Sequence, residues 1–128
     1  PLVFAGPGVP RGSSDALLYL HDIGATLCEL AGLASPAGRD GQSAAAVVRG
    51  ERETHRPELL LAYRDVQRAY RDRRWKLIRY PRVDVTQLFD LEADPFELTN
   101  LADAPEHQPR VTALRERMER AQRALGDS

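Results

Sequence analysis

Apolar and polar positions alternate most clearly over Trp75–Tyr80, with Trp75, Leu77 and Arg79 on one side and Lys76, Ile78 and Tyr80 on the other. That period predicts a strand. Pro81 ends it, because proline has no N–H to give to a ladder. Leu59-Leu60-Leu61-Ala62-Tyr63 is a buried-type run, Val66–Arg71 alternates more weakly, and Gln87–Leu91 is a further short apolar stretch. Asp72-Arg73 has the composition of a hairpin turn. Strands near 59–64, 66–71, 75–80 and 86–90 therefore predict a small antiparallel sheet.

Two helical periods flank this region. From Asp22, a residue suited to an N-cap, Ile23, Leu27, Leu30 and Ala31 fall at i, i+4, i+7 and i+8, and Gly32 suits the stop. Between about Gln108 and Leu125, Val111, Leu114, Met118, Ala121 and Leu125 form a narrow apolar seam with charge opposite. The seam fits one face of the sheet, and a two-helix interface in an oligomer is the other reading. Residues 1–5 are a short apolar run ended by Gly6-Pro7-Gly8, the pattern of a buried strand and a sharp turn. Residues 34–57 are loop-rich, with a short helix expected over Ser43–Arg49 and a charged, solvated run at Glu51–Arg56. The fold class expected is α+β: an N-terminal strand and helix, then a roughly four-stranded antiparallel sheet against a C-terminal helix. The pattern divides at 1–34, 35–57 and 58–128.

Composition narrows the functional classes. At 128 residues and a net charge of −1, the chain has no overall pull toward nucleic acid or a membrane surface. No run of 18 apolar residues is present, so no membrane span is expected. A single cysteine forms no internal disulfide and leaves the compartment unknown.

Charge is uneven, however. Between Arg64 and Arg82, eight cations (Arg64, Arg68, Arg71, Arg73, Arg74, Lys76, Arg79 and Arg82) stand against Asp65 and Asp72, a local excess of +6, with Tyr63, Tyr70, Trp75 and Tyr80 interleaved. Cations among aromatics suit a solvated strand face paired with Asp90, Glu92, Asp94 and Glu97, a surface for anionic substrate, or single-stranded nucleic acid. Other candidates are weaker. His21 and Asp22 are adjacent, but neighbours in sequence rarely face each other, so Asp22 is expected to cap and His21 to pack or be solvated. Three scattered histidines make no zinc site. Cys28 is expected to be a small buried hydrophobe with no base beside it. The carboxylates of Asp90, Asp94 and Glu97 are expected to make turn hydrogen bonds rather than bind calcium.

Taken together, Trp75-Lys76-Leu77-Ile78, Leu88-Phe89-Asp90-Leu91, Asp94-Pro95-Phe96-Glu97 and Asn100-Leu101-Ala102 resemble the C-terminal part of the sulfatase family in the alkaline-phosphatase-like superfamily. Pro1–Phe4 with Gly6-Pro7-Gly8-Val9, Asp22–Leu27 with Glu29–Gly32, and Asp40-Gly41-Gln42-Ser43 are similar to its upstream blocks, in the same order. The resemblance implies that 1–34 is a strand-turn-helix remnant of the large α/β sulfatase domain, 35–57 a connector, and 58–128 the C-terminal α+β subdomain. That family cleaves sulfate esters with a formylglycine, made from a Cys or Ser in a C/S-x-P/A-x-R motif, beside a divalent cation, usually calcium. Cys28 precedes Glu29-Leu30-Ala31 and is outside such a motif, and no adjacent Asp-Asp or Asp-Asn pair occurs.

The implied role is a structural and cleft-lining C-terminal piece, catalytically incomplete alone, whose partner is the N-terminal catalytic domain of the same protein. No cofactor, metal ligand or catalytic residue is expected in this chain. Arg68, Arg71, Arg73 and Arg74 are the expected substrate-facing residues. Self-association through exposed apolar surface is a further expectation, and a membrane partner is not. Two alternatives stay open: an autonomous binding or oligomerisation module, and nucleic-acid binding through strands 64–82. The resemblance does not separate sulfatases from phosphonate-ester hydrolases.

Overall fold

The computed structural model describes residues 2–127, and its contacts divide the chain into two compact units, up to Pro57 and from Glu58. The first contains helices α1 (Asp22–Leu30) and α2 (Ala45–Val48); the second contains strands β1 (Leu59–Tyr63), β2 (Gln67–Arg71), β3 (Trp75–Tyr80) and β4 (Val85–Asp90), then helix α3 (Gln108–Leu125) after a 3₁₀ turn at Pro105–His107. The architecture is α+β.

In the second unit the four strands pair antiparallel in the order β1-β2-β3-β4. Leu60 faces Tyr70, Tyr70 faces Leu77, and Leu77 faces Leu88 across the ladder. Those four positions share one face, because side chains alternate along each strand. Tyr70, Trp75, Leu77 and Leu88 pack there with Val111, Leu114 and Met118 of α3, and with Ala102. Each such side chain removed from water contributes about 1.5–3 kcal/mol. The seam of α3 thus lies on the sheet as its spacing implies, although Leu125, its last expected member, is exposed. Ala69, Ile78 and Phe89 form a smaller cluster on the opposite face.

Polar side chains shape the turns. Asp72 Oδ1 accepts the N–H groups of Arg74 (2.9 Å) and Trp75 (2.6 Å) and closes the β2–β3 hairpin. Asp90 Oδ1 accepts from Glu92 N, and Asp94 Oδ2 from Thr99 N, as the turn-bonding reading expects. Glu97 sits in the left-handed region at φ 56° and is fastened to Lys76 at 2.6 Å, and its neighbours Phe96 and Leu98 are exposed. Asn100 Oδ1 accepts from Leu88 N (2.9 Å) and Ala102 N (3.0 Å), while Leu101 N donates to Leu88 O (2.9 Å). The outer edge of β4 is thereby satisfied by a loop instead of a fifth strand.

The first unit departs further from expectation. Residues 2–5 form no strand, and Leu2 and Val3 are exposed; Pro1 lies outside the described residues. A strand needs a ladder partner, and none of the described residues supplies one. The turn at Gly6 does form, with Val9 N on Gly6 O at 3.2 Å. Along α1 the buried positions are Asp22, Ala25 and Thr26, whereas Leu27 is 53% exposed. The buried stripe is not the apolar one. Nor is Asp22 the N-cap: His21 holds that position without a side-chain cap bond.

Candidate functional site

The densest polar arrangement in the first unit is built around Asp22. Its carboxylate is completely buried and accepts four N–H groups: Arg56 Nε (2.7 Å) and Tyr19 N (2.9 Å) on Oδ2, Arg56 Nη2 (2.6 Å) and Gln42 N (2.9 Å) on Oδ1. Sequence reasoning gave Asp22 a capping role because it precedes an apolar period. The chain instead brings Arg56 back to it by an isolated antiparallel bridge with Leu17. Burial by itself would raise the Asp22 pKa; the Arg56 fork and the two backbone donors outweigh it and hold the carboxyl well below the usual carboxylate range.

Two further features surround this carboxylate. His55 Nε2 lies 3.6 Å from Oδ2 with its ring buried, so His55 and Arg56 leave the run expected to be solvated. His21 stacks on Tyr19, ring centroids 4.8 Å apart. Gly41 is required by close approach, since a Cβ there would lie 2.2 Å from the carbonyl oxygen of His21. Thr26 Oγ1 donates to Asp22 O (2.7 Å) and accepts from Ala44 N (2.9 Å), which ties α1 to the start of α2. These contacts make a structural clamp. Each carboxylate oxygen of Asp22 accepts two N–H groups, and its carbonyl oxygen accepts the Thr26 hydroxyl.

In the second unit the four arginines expected to face substrate do not form one surface. Arg68 points to the α3 face and holds Asp127 with both arms of its fork, each at 2.6 Å. Arg74, at the hairpin, is paired with Asp90 (2.6 Å) and approaches Glu92. Arg71 follows Tyr70 and so lies on the face away from α3. Arg73 is exposed in the turn. Neither Arg71 nor Arg73 has a carboxylate partner among the described residues. With Lys76 on Glu97 as well, three cations of the window meet carboxylates from outside it, while Arg82 pairs with Asp65 inside it, so part of the +6 excess is offset in space. Trp75 carries Arg74 and Arg110, each 5.1 Å from its ring centroid.

Cys28 is half-buried rather than buried and borders an open cleft with His21, Arg39 and Asp40. Ser35-Pro36-Ala37-Gly38-Arg39 spells the serine form of the C/S-x-P/A-x-R spacing, a match that Cys-based reasoning passes over. Its residues are all exposed. Among the described residues no group of three or more His, Cys, Asp or Glu is placed to hold a metal ion. Ser35 thus has the spacing of the motif, with no cation-holding cluster beside it among the described residues. Nor is any helix among them long and apolar enough to cross a membrane.

Residues 1–124 match the family described as N-sulphoglucosamine sulphohydrolase, C-terminal. The chain is 38% identical to a choline-sulfatase of Rhizobium meliloti (strain 1021), over 91% of this chain and 24% of that protein. It is 33% identical to a Δ4,5-hexuronate-2-O-sulfatase of Bacteroides thetaiotaomicron, over 84% of this chain and 25% of that one. A solved 2-O GAG sulfatase superposes with a TM-score of 0.82 at 31% identity, covering 98% of this chain and 30% of its own. The phosphonate monoester hydrolase of Agrobacterium radiobacter superposes with a TM-score of 0.58 at 27% identity, over 79% of this chain and 24% of its own. The chain spans about a quarter of the length of the two sulfatases it matches in sequence. It belongs to the N-sulphoglucosamine sulphohydrolase C-terminal family and is a C-terminal sulfatase domain.

Proposed function

We propose that this domain serves a sulfuric ester hydrolase by completing its structure and lending cations to one wall of an anion-binding cleft. Bond cleavage is left to an N-terminal catalytic domain of the same polypeptide, with its formylglycine and divalent cation. The observation that carries the reading is the match of residues 1–124 to a C-terminal sulfatase family by a chain about a quarter as long as its sulfatase relatives. A sulfate ester is favoured over a phosphonate because, among solved structures, the 2-O GAG sulfatase superposes over 98% of the chain with a TM-score of 0.82, whereas the phosphonate monoester hydrolase superposes over 79% with 0.58.

Of the four arginines, Arg71 and Arg73 are the ones available for direct contact. Arg68 and Arg74, already paired, would act through their field. Exposed apolar side chains of the first unit, such as Leu20 at 87% and Leu27 at 53%, would be covered by the catalytic domain and would promote self-association of the chain alone.

The test is an arylsulfatase assay on the chain alone and on the full-length polypeptide. The expected result is background for the former and turnover for the latter. Enzymic turnover by the chain alone would overturn the division of labour. A full-length protein that cleaves aryl phosphonates but no sulfate ester would overturn the substrate class.

A further inference from the structure

Among the described residues, three buried side-chain nitrogens have no hydrogen-bond partner: His55 Nε2, Arg71 Nε and Arg115 Nε. His55 has the Asp22 carboxylate 3.6 Å away, which accounts for its position. Arg71 has nothing comparable. It ends β2 on the face opposite α3, with Leu59 across one ladder and Lys76 across the other. Its Nε–H is shielded from water while no acceptor replaces the lost solvent, a condition that folded chains rarely tolerate at a guanidinium.

Lys76 deepens the deficit. Like charges directly opposite on one sheet face repel. Glu97 neutralises Lys76, with Oε2 at 2.6 Å from Nζ, and no carboxylate within the described residues does the same for Arg71. One negative charge is missing from this face. The flanking Leu59, Ala69, Ile78 and Phe89 are buried, so a charge placed here would act in a medium less screened than open water.

We propose that Arg71 anchors an oxyanion position on this face, its Nε–H and one Nη–H donating to two oxygens of a carboxylate or sulfate. The side-on fork of a guanidinium matches the oxygen spacing of both groups. Only the ligand class rests on the sulfatase reading; the vacant donor does not. Two sources supply this chemistry: an anionic group of a substrate, or an acidic side chain of the catalytic domain.

The test is titration of the chain with sodium sulfate against sodium chloride at constant ionic strength, following arginine Nε–Hε resonances by NMR. One resonance, assigned by its loss in Arg71→Met, is expected to shift saturably. In Arg71→Lys, which keeps the charge and the packing volume but loses the fork, sulfate affinity followed by backbone amides near position 71 is expected to fall about tenfold. Arg120→Met, exposed on α3 across the sheet from Arg71, is expected to leave the shift intact. Absence of a saturable Arg71 shift, or equal affinity in Arg71→Lys, would overturn the proposal.

In the full-length polypeptide, a substrate source predicts a raised KM for Arg71→Met with unchanged Tm. An acidic side chain predicts a lowered Tm, unchanged KM and an Arg71 resonance insensitive to sulfate. A full-length protein showing neither would also overturn it. The titration reads no hydrolysis, so failure of the sulfatase assay and failure of this site are separable.

Discussion

Arg56 grips Asp22 with two parallel bonds, Nε on Oδ2 at 2.7 Å and Nη2 on Oδ1 at 2.6 Å, across 34 positions of sequence. The contact joins the start of α1 to the residue that bridges Leu17. Removing one partner strands a buried charge. Arg56→Met is therefore expected to cost about 3–5 kcal/mol, and the double variant with Asp22→Asn distinctly less than the sum. Urea unfolding of the four proteins of that cycle measures both. The Asp22 pKa is depressed in the folded state, so its stabilisation is fully present above the unfolded value of about 3.9 and is lost as pH falls from there toward the folded value. An unfolding midpoint that declines between pH 7 and pH 5 in a manner abolished by Asp22→Asn would contradict this.

Tyr70 gives the opposite slope at the other end of the scale. Its phenol is fully buried and donates to Glu58; burial first, then that carboxylate, push its pKa up to about 12, with Arg117 opposing. The folded state then holds a proton that the unfolded chain releases near pH 10. Stability is fully present below pH 10 and falls as pH rises from about 10 to 12. Ultraviolet titration should show one tyrosine ionising late, and Tyr70→Phe should remove its share of the alkaline decline. Ionisation of Tyr70 near pH 10 in the folded chain, with no late step lost in Tyr70→Phe, would refute the assignment.

Asn100 does the work of a neighbouring strand with one oxygen. Asn100→Ala leaves Leu88 N and Ala102 N without an acceptor, and the expected cost is about 1–3 kcal/mol. Hydrogen exchange gives a sharper reading than the global value: the Leu88 amide should lose protection while the Leu77 amide on central β3 keeps it. Equal loss at both would mean that the loop holds the sheet as a whole.

The second unit was legible because its signals are local. Period-two alternation marks β3, Asp72 and Pro81 punctuate it, and the 3-4 spacing of Val111, Leu114 and Met118 names the face that meets the sheet. Even the role of Asp90 and Asp94 in turn bonding follows from their short side chains, Asp94 standing directly before Pro95. The first unit was not legible in this way. Asp22 and Arg56 are far apart in sequence, and nothing in either neighbourhood announces the other. The apolar spacing of Ile23, Leu27 and Leu30 is real, but a period says only that a face exists and not what covers it. The arginines failed to group for a related reason: a run of cations along a hairpin alternates between two faces, so Arg68 and Arg71 part company although three positions separate them.

The loop that seals β4 also bears on behaviour at high concentration. A meander has two margins, each a template onto which another molecule could add backbone. With Leu88 answered at both its N–H and its carbonyl from within the chain, growth from the β4 margin is blocked at its centre. Filament or swapped-strand assembly, where it arises, must start from somewhere else in the molecule.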